Sequence, residues 1–156
     1  MSISKRVKNF LDQNDVKYAS IIHSKAYTAQ EIASSSHISG KELAKTVVLK
    51  DKNDNFALAV LPAVDKVDLE VFNKKTELED VELASENDFR DLFPDSRTGA
   101  MAPFGNLYDM PTYVSESLEN TRMISFNAGD HQELIRMPYQ KYKELVEPKV
   151  LAFSLK

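Results

Sequence analysis

The chain has 156 residues, 42% hydrophobic and 28% charged, with a formal net charge of −4 and no cysteine. That size and composition fit one soluble globular domain spanning 1–156, and the lack of cysteine excludes disulfides. The negative balance argues against broad nucleic-acid binding by phosphate neutralisation, and the longest nearly apolar run, 56–64, is broken by Pro62 and too short to span a bilayer.

The amino terminus lacks a basic segment followed by an apolar stretch, so a cytoplasmic location with no membrane partner is expected. Ser4 to Asn14 places Val7, Phe10 and Leu11 at helical spacing, which predicts an amphipathic helix. Tyr18 to His23 suits a short strand. Thr28 with Glu31, and Ser39 with Glu42, form capping-box patterns that predict two short helices, the second leading into Thr46-Val47-Val48-Leu49. In an extended segment Leu43, Lys45, Val47 and Leu49 share one face. A lysine among aliphatic side chains has a partner, a solvent route or a functional pocket, or else it lies at the strand end and runs its ammonium out to water.

Asp51 to Asn55 is a polar turn joining that strand to Phe56–Leu61, which is apolar on both faces and predicts a central strand. Asp65 to Thr76 suits a helix with Leu69 and Phe72 inward, Val81 to Ala84 a strand, and Ser85 caps a helix that Pro94 ends. Thr112–Val114, Met123–Phe126 and Leu134–Met137 predict strands. Pro138 opens a helix with Tyr139, Tyr142, Leu145 and Val146 buried, and 150–155 predicts one closing strand. Without a regular βα alternation, the fold class is α+β.

Only four glycines occur, and Gly99, Gly105 and Gly129 fall in two loops. Thr98 to Gly105 reads Thr-Gly-Ala-Met-Ala-Pro-Phe-Gly, with Gly99 and Pro103 bracketing Ala100, Met101 and Ala102, and Phe104 following. A Gly-x-x-x-Pro stretch reads first as a turn between strands. The scarcity of glycine gives it a second reading, a rigid loop whose backbone N–H groups hold a phosphate or a developing oxyanion. Asp130 and His131 follow Gly129, where a carboxylate or imidazole can orient water or a ribose hydroxyl, although a polar turn is the plainer reading. His23, His37 and His131 are too scattered for a zinc motif, so no metal and no cofactor are expected. Gly-x-Ser-x-Gly, Walker and dinucleotide motifs are absent. Lys41, Lys45, Lys50, Lys52, Lys74 and Lys75 are candidates for a local basic patch, though most such lysines are simply solvated.

Ala44-Lys45-Thr46-Val47-Val48-Leu49, Leu58 to Pro62, the Gly99–Gly105 loop and Phe126-Asn-Ala-Gly129, in this order and spacing, resemble the YbaK/prolyl-tRNA-synthetase-associated editing domains. Tyr27-Thr28, entering the first editing-domain helix, supports the likeness. The resemblance implies a free-standing aminoacyl-tRNA deacylase with a mixed, mostly antiparallel, barrel-like sheet flanked by helices. It implies that Lys45 engages the tRNA acceptor end and that Gly99 to Pro103 hold the aminoacyl group and its carbonyl. It also implies reliance on backbone donors, water and the substrate's ribose hydroxyl. Site residues on this reading are Lys45, Gly99 and His131 in catalysis, and Tyr27, Thr28, Ala100, Met101, Ala102, Pro103, Phe104, Gly129 and Asp130 in substrate binding. The match is weaker at Asp130 and His131. Implied partners are aminoacyl-tRNA and an aminoacyl-tRNA synthetase in trans; alanine, proline and cysteine esters are the implied substrates. The rival class is a module of the same fold that binds aminoacyl-tRNA, a nucleotide or a synthetase without hydrolysis.

Overall fold

A computed structural model describes residues 4–22, 41–96, 100–129 and 133–155. The first helix, α1 (Lys5–Gln13), forms where predicted: Ser4 caps it by accepting the Val7 N–H, and Val7 and Leu11 are buried. Strand β1 (Ala19–Ile22) follows. Both capping-box helices predicted between Thr28 and Glu42 fall largely outside the described residues. Where description resumes, Lys41 and Glu42 form a turn and β2 (Ala44–Lys50) begins.

Strand β2 pairs antiparallel with β3 (Phe56–Pro62) through the predicted hairpin. Asp51 organises its turn. The Asp51 carboxylate accepts the N–H groups of Asn53 and Asn55, both at 2.9 Å, and the bond from Asn55 leads the hydrogen bonding that holds it below the usual carboxylate range. The helix expected over 65–76 is shorter. Lys66–Val67 are extended as β4, and Asp68 caps α2 (Leu69–Lys75) through the Glu70 N–H. After β5 (Glu82–Leu83), Ser85 and Asp88 form a full capping box on α3 (Glu86–Phe89). The remaining elements are β6 (Thr112–Ser115), β7 (Met123–Asn127), β8 (Glu133–Pro138), α4 (Tyr139–Val146), β9 (Lys149–Leu151) and β10 (Ser154–Leu155).

The largest sheet runs β5-β2-β3-β6-β9, a second runs β1-β8-β7, and β10 pairs with β4. Pairing is antiparallel except at β3·β6 and β6·β9, which are parallel. An isolated bridge between Leu43 and Ser125, backed by the Ser125 N–H to the Glu42 carbonyl at 2.9 Å, joins the first two sheets. No described pairing closes them into a barrel, so the sheet is mixed and open. The single strand expected over 150–155 is two strands: Phe153 turns inward, fully buried with its ring 4.9 Å from Phe72, and breaks the extended run.

Strand β3 is apolar on both faces because both are covered. Leu61, Ala59 and Ala57 pack on one side with Leu49, Phe72 and Phe153, while Val60 packs on the other with Val7, Phe104, Phe126 and Tyr142. Burying rings of this size supplies about 1.5–3 kcal/mol each.

Candidate active site

The Gly-x-x-x-Pro loop is described from Ala100 onward, and it is bound into the core. Ala100, Met101, Ala102, Pro103 and Phe104 are all buried. The Phe104 ring meets Phe126 at 5.4 Å, Tyr142 at 5.5 Å and Phe10 at 5.7 Å, so its side chain anchors the loop from below. Met101 packs on Leu58, Phe93 and Tyr108.

The loop carbonyls are committed to the protein. Ala100 C=O accepts the Gly129 N–H at 2.8 Å, Ala102 C=O the Phe104 N–H at 2.9 Å, and Pro103 C=O the Tyr142 hydroxyl at 2.6 Å. Burial pushes the Tyr142 hydroxyl well up, which keeps it a neutral donor. The Gly105 N–H donates to Thr112 Oγ1 at 3.0 Å, and a Cβ there would stand 2.2 Å from that oxygen. The peptide bonds are trans, so N–H and C=O of one unit point in opposite directions. With the Ala100 carbonyl aimed at Gly129, the Met101 N–H points away from it.

Gly129 is the second fixed point. Its φ is +126°, and a Cβ would lie 2.8 Å from the Ser4 backbone nitrogen, so both conformation and space call for glycine. The bond from Gly129 to Ala100 brings together two of the stretches singled out in the sequence. Asn127, two residues earlier, was assigned no role by sequence reasoning. Its Oδ1 is buried and has no hydrogen-bond partner among the described residues, a state that costs about 1–3 kcal/mol. The available signal was its place inside the Phe126–Gly129 motif.

Lys45 lies on β2 opposite Leu61, on the face shared by Val47 and Leu49, in agreement with its expected parity. It is half-buried. Burial lowers its pKa, nearby Asp65 acts the other way, and Lys66 adds to the lowering. Asp65, itself buried, was another residue without a predicted role. Ala102 and Phe104 pack with Ala44 and Val60, on the opposite face of β3 from Leu61. Lys45 makes no hydrogen bond or ion pair with the described loop residues. The residue facing the loop side is Thr46, half-buried and opposite Val60.

A cleft of about 1030 Å³ is lined by Lys41, Pro62, Val64, Asp65, Glu116 and Glu119 among others. Another, of about 850 Å³, lies by Asn55, Phe56 and Tyr113, and neither of the two is lined by Lys45 or by residues 100–105. Tyr27, Thr28, Gly99, Asp130 and His131 lie outside the described residues. Among the described residues no cluster of His, Cys, Asp and Glu could hold a metal ion, and no helix is long and apolar enough to cross a membrane.

A model of the aminoacyl-tRNA editing domain matches residues 23–145. No curated protein matches the chain significantly. Among solved structures, the hypothetical protein APE2540 superposes with a TM-score of 0.87 at 18% identity, covering 97% of this chain and 100% of the other. A protein assigned provisionally as a trans-editing enzyme for prolyl tRNA synthetase gives 0.83 at 18% identity, over 98% and 97% of the two chains. At these identities the superpositions speak for the fold.

Proposed function

The chain belongs to the aminoacyl-tRNA editing domain family, and from that premise we propose that it is a trans-acting deacylase that hydrolyses the ester joining a wrongly attached small amino acid to tRNA. The observation that carries the chemistry is the Gly129 N–H to Ala100 C=O bond at 2.8 Å. It orients the loop's peptide plane with the Met101 N–H turned away from Gly129, and on this reading that N–H takes the ester carbonyl as its acceptor.

Water attacks that carbonyl carbon, negative charge collects on its oxygen, and the Met101 N–H with other backbone N–H groups of the Gly99–Ala102 stretch stabilises it. The carbon–oxygen bond to the ribose then breaks. The ribose oxygen takes the proton that the attacking water gives up, releasing free amino acid and uncharged tRNA. A preorganised donor of this kind contributes roughly 3–4 kcal/mol to lowering the barrier. A loop locked by core rings suits that role, because such donors act without reorienting.

Lys45 engages the acceptor-end phosphates. A lysine partly withdrawn from water gives up less hydration on meeting a phosphate, which supports this assignment. Tyr27, Thr28 and Asp130 contribute to the substrate pocket, and His131 orients water or the ribose hydroxyl. Alanine, proline and cysteine esters are the candidate substrates, since one methylene in an apolar pocket discriminates by only about 1–3 kcal/mol. The protein works in the cytoplasm beside the synthetase whose errors it clears.

The test is deacylation of a panel of mischarged tRNAs by the purified protein. Release of one small amino acid well above the spontaneous rate is the expected result. Binding of charged tRNA with no acceleration on any member would instead make the protein a binding module.

A further inference from the structure

A polar cluster near the loop is centred on Asp95. Its carboxylate accepts the Tyr108 hydroxyl with both oxygens, at 3.0 and 3.1 Å, and also accepts the Ser4 hydroxyl. Arg6 Nε lies 3.9 Å from Oδ2. The Arg6 guanidinium also sits over the Tyr108 ring, 4.9 Å from its centroid, and donates to the Leu107 carbonyl at 3.2 Å. Burial, followed by the Asp95 charge, pushes Tyr108 up to about 12, so it stays a proton donor through the physiological range.

The cluster's position in the chain gives it meaning. Asp95 and Tyr108 precede and follow the loop in sequence, and their bond joins the residues that flank it. Ser4 connects this cluster to the second fixed point: its backbone N–H donates to the Ala128 carbonyl at 2.6 Å, and its Cβ and Cα stand 3.2 and 3.4 Å from where a Cβ on Gly129 would lie. Three segments distant in sequence therefore meet at one carboxylate.

We propose that Asp95 is a positioning residue for the Gly-x-x-x-Pro loop, holding Tyr108 beyond the loop and clamping it, through Ser4 at the N-cap of α1, to the Ala128–Gly129 backbone that holds Ala100. This inference rests on the deacylase reading for its catalytic consequence but not for its structural one. Asp95 touches no reacting atom; it acts through the Gly129–Ala100 bond.

The experiment combines amide hydrogen exchange with single-turnover deacylation for wild type, Asp95→Ala, Asp95→Asn and Tyr108→Phe. In Asp95→Ala, exchange at the Gly129 amide should accelerate at least about tenfold while Leu49 and Ala59 in the β2–β3 hairpin keep their protection, the signature of local opening. The deacylation kcat should fall about 10- to 100-fold, with KM for mischarged tRNA within about two-fold, as expected when a reacting geometry loosens and binding does not. Asp95→Asn retains an acceptor and should recover most of both losses; Tyr108→Phe, which keeps the ring, should show a smaller change in the same direction and serves if Asp95→Ala does not fold. Unchanged exchange at Gly129, or equal acceleration at Gly129, Leu49 and Ala59, would overturn the inference. If wild type deacylates no member of the panel, the deacylase reading fails, and the exchange arm still decides the role of Asp95.

Discussion

The two halves of the candidate site are built on different physical terms. The loop from Ala100 to Gly105 is held by its own backbone, with carbonyls taken by Gly129, Phe104 and Tyr142 and a phenylalanine ring sunk among Phe10, Phe126 and Tyr142. Among the described residues Lys45 has no such framework. Strand register places it half-buried at the start of β2, with Asp65 and Lys66 as charged neighbours. The contrast teaches that changes in the loop region should alter rate and stability together, whereas changes at Lys45 should alter rate alone.

The largest expected effect sharpens the loop side. Valine restricts φ more than glycine, so if Gly99 has the role proposed for it, single-turnover deacylation by Gly99→Val should slow roughly 100- to 1000-fold, with binding of uncharged tRNA little changed. Next comes Lys45→Ala, for which loss of a charge-assisted phosphate contact predicts a drop of about 10- to 100-fold in kcat/KM and a Tm within about 3 °C of wild type. A large fall in Tm would make the lysine structural and erase the contrast.

Gly129→Ala tests the coupled behaviour. A Cβ at φ +126° and 2.8 Å from the Ser4 nitrogen should destabilise the protein by roughly 2–4 kcal/mol, lowering Tm by about 5–15 °C and the rate with it. An unaltered melt would show that the clamp yields easily.

Alkaline titration gives a smaller, graded effect. Tyr108, Tyr139 and Tyr142 are all raised, chiefly by burial. The folded state therefore holds protons that the unfolded chain releases near pH 10. Their contribution is fully present below pH ~10 and is lost as pH climbs toward 12, so urea midpoints should be flat to about 10 and then fall. Tyr108→Phe should make that fall shallower; an identical profile would remove Tyr108 from the account. Smallest of all should be the salt dependence: tRNA affinity should decline with ionic strength along a shallow slope, because the net charge is −4 and only a local basic patch meets the phosphates. Affinity indifferent to salt would speak against tRNA.

Legibility in the sequence divides along the same line. Features set by neighbours in the chain were readable: the Ser85 helix cap, the Asp51 turn, the two-faced apolarity of β3 and the parity of Lys45. Features set by distant pairing were not. Nothing local announces that β3, β6 and β9 run parallel, that Phe153 turns inward and splits the final strand, or that Ala100 meets Gly129. Asp95 illustrates this most sharply. After Pro94 it looks like an ordinary turn residue, and only the fold brings Ser4, Arg6 and Tyr108 to its carboxylate.

The most direct test of the central claim is single-turnover deacylation of one mischarged tRNA by wild type, Gly99→Val and Lys45→Ala in parallel, with thermal melts of all three. The account predicts rapid hydrolysis by wild type, both variants slowed by at least about tenfold, and a wild-type-like melt for Lys45→Ala. Folded variants that hydrolyse the ester as fast as wild type would contradict it.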